Sequence, residues 1–169
     1  MKIILACVLA IGLASIASAQ ALPIDKLTPP AASQTGRDIA DFASYAGLAT
    51  QIGIDTYASW KADDRAHAFK MEGIRLSVTV ASSEIIKRLV RRSRPCAPSC
   101  GVDNPNASFW SEHTALAFST TPHGVGGVAL TFSLLDSSLT GGERILANKH
   151  FLTDVLAGAG VGYATSFIR

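Results

Sequence analysis

The residue types that could do chemistry in this chain are concentrated near its end. His150 and Asp154 are four residues apart. On a helix that spacing puts both side chains on one face, one turn apart. The carboxylate can then hold one imidazole nitrogen and leave the other free and basic. Arg144 lies six residues before the histidine, near the expected start of the same helix. A basic imidazole, an orienting acid and a guanidinium together suit an attack on a phosphorus centre. The same pair also occurs as a plain hydrogen bond on a helix surface, so the rest of the chain has to decide.

Two further clusters precede it. The first is Lys87-Arg88-Leu89-Val90-Arg91-Arg92-Ser93-Arg94-Pro95 and the second is Ser111-Glu112-His113. A phosphate monoester carries close to two negative charges. Lys87, Arg94 and Arg144 would form a cationic cradle for it, the guanidiniums binding oxygens in bidentate fashion. Ser111, the Glu112 backbone amide and the positive end of their helix would add donors. His150 would attack phosphorus, Asp154 would orient it, and His113 would protonate the leaving alkoxide and then activate water. A Ser111/Glu112/His113 hydrolase triad is excluded, because adjacent residues cannot converge on one another's functional groups.

The order Lys-x6-Arg-Pro, Ser-x-His, Arg-x5-His-x3-Asp, spanning Lys87 to Asp154, resembles the type 2 phosphatidic acid phosphatase (PAP2) superfamily. That superfamily includes bacterial acid phosphatases and vanadium haloperoxidases. The resemblance implies an all-α helical bundle and the same roles for Lys87, Arg94, Ser111, His113, Arg144, His150 and Asp154. It implies no metal or other cofactor, although vanadate could bind as a phosphate analogue. Two departures stand out. Trp110 and Glu112 replace the proline and glycine of the usual Pro-Ser-Gly-His. Glu143 replaces the serine before the arginine, where it could cap a helix or pair with a cation. The Glu112 carboxylate must point away from the phosphate, or it would repel it.

Other charged residues read as bland. Arg88, Arg91 and Arg92 are expected in solvent or against lipid headgroups. The formal charge of the chain is only +2 over 169 residues, with no second basic patch, which argues against a nucleic-acid partner. His67 has no evident partner, and His123 after Pro122 reads as structural.

The positioning elements follow from the apolar pattern. Residues 1–19 read as a secretory signal: Lys2, an apolar run from Ile3 to Ile16, and Ala17-Ser18-Ala19 as the cleavage site. The protein is therefore expected to be exported, to the periplasm; an uncleaved anchor would make it membrane-associated instead. In an oxidising compartment Cys96 and Cys100 suggest a local disulfide worth about 2 kcal/mol, the rival being half a zinc site with His113 or His123. Residues 20–37 read as an extended lead-in and 38–169 as a single domain. Helices are expected from Asp38 as cap to Trp60; from Met71 to Arg92, burying Ile74, Val78, Ala81, Ile85 and Leu89 and stopped before Pro95; from Ser111 to Ser119; from Pro122 to Leu135; and from Glu143 to Phe167. Asp136–Gly142 reads as a polar turn. Val125–Leu135 and Val155–Ile168 are nearly uncharged but short for a bilayer span, so they read as core helices. Gly158 and Gly162 form a small-x3-small pair that permits close helix docking.

The function expected from all this is an exported, metal-independent acid phosphatase for phosphomonoesters, working through a phosphohistidine. Its partner is a phosphorylated small molecule. The alternatives are a lipid phosphatase at the membrane surface, of the phosphatidic acid or prenyl (pyro)phosphate type, and a catalytically impaired anion-binding protein. A vanadate-dependent haloperoxidase is disfavoured by the short chain.

Overall fold

A computed structural model of the chain describes residues 23–27, 33–97, 104–123 and 126–169. The expected signal segment and Cys100, hence the Cys96–Cys100 pairing, lie outside the described residues. A 3-10 helix at Pro23–Leu27 is followed by five α-helices: α1 Gln34–Lys61, α2 Arg65–Val90, α3 Glu112–Ser119, α4 Gly127–Leu146 and α5 Leu152–Thr165. No strand occurs among the described residues, as the all-α reading requires.

The helix boundaries follow from side chains that satisfy free backbone groups. Ser33, not Asp38, caps α1: its Oγ accepts from the Gly36 amide at 3.2 Å, while Asp38 accepts from Gln34 Nε2 inside the helix. The expected lead-in is therefore shorter and not wholly extended. Asp64 caps α2 by accepting from the His67 amide at 3.0 Å, so this helix starts at Arg65 and not at Met71. It ends before Pro95 can act. Arg91 turns left-handed, with φ 49°, and its amide closes on the Lys87 carbonyl.

The largest correction concerns α4. The expected turn at Asp136–Gly142 is helical, and α4 runs through it unbroken. Its polar side chains find partners across the bundle instead of in solvent. Asp136 accepts from Gln51 Nε2 on α1 at 2.8 Å, and Ser137 donates to the Ala117 carbonyl on α3 at 3.0 Å. The chain breaks later, at residues 147–151, where Asn148 is left-handed with φ 58°. Arg144 thus closes α4, His150 sits in the connection, and Asp154 stands in the first turn of α5.

Packing is polar inside and apolar outside to an unexpected degree. On α2 the predicted core face is the outer face: Ile85 and Leu89 are 60% and 64% exposed, and Ile74, Val78 and Ala81 also face outward. The buried positions are Glu72, Arg75, Thr79, Ser83, Ile86 and Val90. The expectation of a buried Val125–Leu135 helix fails in the same way, since Val128, Phe132 and Leu135 are exposed. Hydroxyls and small residues fill the interior, where Thr79 and Thr165 hydrogen-bond at 3.0 Å and Trp110 Nε1 donates to Ser83 Oγ at 2.7 Å. A compact apolar cluster of Ile86, Val90, Phe109, Trp110, Ala115 and Val161 lies behind the site. The expected close docking through Gly158 and Gly162 is present. A Cβ at Gly162 would meet the Ala115 carbonyl oxygen at 2.1 Å, and one at Gly158 the Ser111 carbonyl oxygen at 2.5 Å. This holds α5 against α3, and with it two of the three motifs.

Candidate active site

Three chain breaks converge on one cavity of about 410 Å³. The end of α2 brings Lys87 and, just beyond it, Arg94. The start of α3 brings Glu112 and His113. The α4–α5 junction brings Arg144, Lys149 and His150. α1 adds Asp41 and Tyr45, and Glu84 completes the wall. The backbone ties these segments together. The Ser111 amide donates to the Asp154 carbonyl at 3.0 Å, and the Ser108 amide to the Arg92 carbonyl at 3.0 Å.

His150 is 2% exposed, and its ring is fixed by a group the sequence did not suggest. Nδ1 lies 2.7 Å from the Ser108 carbonyl oxygen. A carbonyl only accepts, so Nδ1 carries the proton and Nε2 is the bare, basic nitrogen. Asp154 does not hold the ring directly, because its Oδ2 is 3.8 Å from Nδ1. His150 precedes α5, so the two residues are not one turn apart on a helix face. Asp154 acts one step back. Oδ2 accepts the Ser108 hydroxyl at 2.5 Å and the Phe151 amide at 2.9 Å, which fixes both ends of the His150 environment.

The cations are distributed as expected, but with acidic company. Arg144 is buried and donates to Asp41 and, at 3.1 Å, to Ser44 Oγ. Arg94 donates to the carbonyls of Lys149 and Asn104, each at 3.3 Å. Lys87 pairs with Glu112 at 2.5 Å and with Glu84 at 3.3 Å. The Glu112 carboxylate therefore does not turn away from the site; it sits on Lys87, one of the cations expected to hold phosphate. Ser111, at the N-cap of α3, is wholly buried, does not line the cavity, and accepts from Thr114 Oγ1 at 2.8 Å. Glu143 lies in the last turn of α4 and not at a helix start, which removes the capping role.

Both histidines are kept neutral. Burial, with the Arg144 and Arg94 charges, pushes His150 down to about 4 despite the nearby Asp154. Burial, reinforced by Arg144, His150, Lys87 and Arg94, pushes His113 down to about 3. Tyr45 stands edge-on to the His113 ring at 4.5 Å between centroids. His113 Nε2 is buried with no hydrogen-bond partner.

A buried imidazole nitrogen without a partner and a bare Nε2 stand beside four cations, Lys87, Arg94, Arg144 and Lys149, and that charge suits an anion. The model of the PAP2 superfamily matches residues 73–169, more than half of the chain. The chain belongs to the PAP2 superfamily. It is a phosphatase, a phosphoric monoester hydrolase, of a family that acts on phosphorylated small molecules or lipid phosphates. The fold is also that of the crystal structure of Aquifex aeolicus LpxE, with a TM-score of 0.65 and 22% identity over 85% of this chain and 90% of that one. No curated protein matches the chain.

Several site residues were not legible in the sequence. Asp41, Tyr45 and Ser44 lie on α1, far from every motif. Arg92, expected in solvent, is 2% exposed and donates to Asp154 Oδ1 at 2.5 Å. Its place inside the Lys87–Pro95 motif was the available signal. Ser108 acts through its backbone carbonyl, which no sequence pattern marks. His123 is structural, as expected: it hydrogen-bonds Ser166 Oγ at 2.6 Å and packs on Phe167.

Proposed function

We propose that this PAP2 member is an exported, metal-independent acid phosphatase that hydrolyses phosphomonoesters through a phosphohistidine at His150. The observation that carries this reading is the tautomer lock, Nδ1–H on the Ser108 carbonyl, which leaves Nε2 bare in a cavity lined by Lys87, Arg94 and Arg144. The Nε2 lone pair attacks phosphorus, the P–O ester bond breaks, and His113 gives its proton to the departing alkoxide. His113 then takes a proton from water, whose oxygen attacks phosphorus and breaks the P–N bond. A bound dianion offsets the surrounding cations and draws the His113 pKa upward, toward the protonated form that the leaving alkoxide requires. Arg94, Arg144 and Lys87 balance charge on the equatorial oxygens. The proposed role of Asp154 is to hold Ser108 and Phe151, and through them His150.

The test is hydrolysis of p-nitrophenyl phosphate with and without EDTA. Full activity in chelator and a loss of at least about 10³-fold in His150→Ala are expected. Loss of activity with EDTA sinks the metal-free mechanism, and a fully active His150→Ala removes the nucleophile. Intact-mass measurement of the secreted protein tests cleavage after Ala19 and the Cys96–Cys100 disulfide together.

A second reading, a phosphatase for lipid phosphates at a membrane surface, is favoured by the outer faces of α2 and α4. Ile85, Leu89, Val128, Phe132, Leu135 and Leu139 are all more than half exposed. No described helix is long and apolar enough to cross a membrane, so this reading is one of surface contact. Turnover of phosphatidic acid in mixed micelles, with none of soluble esters, would replace the first reading by the second.

A further inference from the structure

The 3-10 helix at Pro23–Leu27 carries a carboxylate that reaches the support of the site. Asp25 is 3% exposed. Its Oδ2 accepts from Arg92 Nη2 at 2.5 Å, and its Oδ1 accepts from the Thr153 amide at 3.0 Å and the Thr153 hydroxyl at 2.8 Å. Arg92 in turn donates through Nη1 to Asp154 Oδ1 at 2.5 Å and to Thr153 Oγ1 at 2.8 Å. Asp154 receives the Ser108 hydroxyl, and the Ser108 carbonyl receives His150 Nδ1–H. A continuous run of bonded groups therefore leads from the N-terminal segment to His150.

Arg92 is the hinge of this run. Its guanidinium is buried, and two carboxylates from distant parts of the chain share its two terminal nitrogens. A buried charge that loses one of its partners is strongly destabilised and moves to recover it. Without the Asp25 charge, Nη2 has no carboxylate, and the guanidinium is drawn wholly toward Asp154. Asp154 cannot shift without moving the Ser108 hydroxyl and the Phe151 amide, and these fix the carbonyl and the backbone that aim His150. Displacement of a reacting group by about 1 Å costs on the order of 10²-fold in rate. Asp25, Arg92 and Asp154 do not line the cavity, so none of them meets the phosphate.

We propose that Asp25 is a positioning residue for His150, acting through Arg92 and Asp154, so that the 3-10 helix at Pro23–Leu27 supports the working site. This rests on the reading of His150 as nucleophile. The test compares wild type, Asp25→Asn and Thr153→Val in the full chain, at a temperature where each is folded. Thr153→Val is nearly isosteric and removes only the hydroxyl between Asp25 and Arg92. Two readouts are taken: kcat and KM for p-nitrophenyl phosphate, and the ¹H–¹⁵N resonance of the His150 Nδ1–H.

The expected result for Asp25→Asn is a kcat lowered about tenfold or more with KM within about twofold, and a His150 Nδ1–H resonance that shifts or broadens. Thr153→Val should move both in the same direction by a smaller amount, and it decides the matter if Asp25→Asn does not fold. Variants that melt earlier but keep kcat and the His150 resonance overturn the proposal and leave Asp25 a simple clamp. The resonance does not depend on turnover. A wild type that hydrolyses no phosphomonoester therefore contradicts the proposed function, while the resonance still decides whether Asp25 positions His150.

Discussion

Lys87 illustrates how single residues set the behaviour of this site. Its ammonium is shared by Glu112 and Glu84 before any phosphate arrives, and Asp41 does the same for Arg144. In the proposed mode of binding, phosphate displaces Glu112 to reach Lys87. Glu112→Gln keeps the shape and removes the competing charge, so inorganic phosphate should bind about tenfold more tightly by calorimetry; unchanged or weaker binding would show that Glu112 does not compete. His113 and His150 make a pH prediction. Both are depressed from 6.5, to about 3 and about 4, so the unfolded chain takes up protons that the folded chain refuses. The stability they confer is complete above about pH 6.5 and is lost as pH falls toward 4, on the order of 3 kcal/mol for His150 alone. Denaturant melts between pH 7 and 4.5 should show this fall, and saturating phosphate should flatten it. At this scale the sequence was informative about which residues gather, because the motif spacings mark Lys87, Arg94, His113, Arg144 and His150. It was silent about what holds them, because the Ser108 carbonyl is backbone and the partners Asp41 and Asp25 are distant in the chain.

Helices α3 and α5 are the elements on which the site depends most. Gly158 and Gly162 let the α5 backbone touch the carbonyls of Ser111 and Ala115, so the phosphate-side end of α3 and the first turn of α5 share one rigid unit. Gly162→Ala places a methyl where a carbonyl oxygen stands and should cost about 2–3 kcal/mol. Thermal melts should show the loss, with kcat falling further than for an equally destabilising change on α1. The docking pair was readable because small residues at that spacing mean close approach in any environment. The course of α4 was not. Asp136, Ser137 and Thr140 look like a turn when solvent is assumed outside, whereas here Asp136 and Ser137 bond across the bundle to α1 and α3, and Thr140 is buried against Gly47 of α1. The same assumption inverted the face of α2, where Thr79 and Ser83 are inside and Ile85 and Leu89 outside.

For the whole molecule, that inversion is the main fact a sequence pattern could not deliver. Periodicity locates an apolar stripe but does not say whether protein or something else covers it. The outer stripes of α2 and α4 are separate from the cavity, so they can be tested apart from the chemistry. Ile85→Glu with Leu89→Glu should leave p-nitrophenyl phosphate turnover within about twofold. The same pair should abolish co-sedimentation with phosphatidylglycerol vesicles if the second functional reading holds, and a wild type that never sediments with vesicles would remove that reading. The all-helical bundle and the placement of the three motifs at its chain breaks follow whichever environment surrounds it.

The most direct test of the central claim is to quench the enzyme in base during turnover of a ³²P-labelled phosphomonoester, since phosphohistidine survives alkali, and to map the label by peptide mass. Label on His150, lost in His150→Ala and retained in His113→Ala, is the predicted result. Turnover by wild type with label on another residue, or a His150→Ala variant that still incorporates it, would contradict the account.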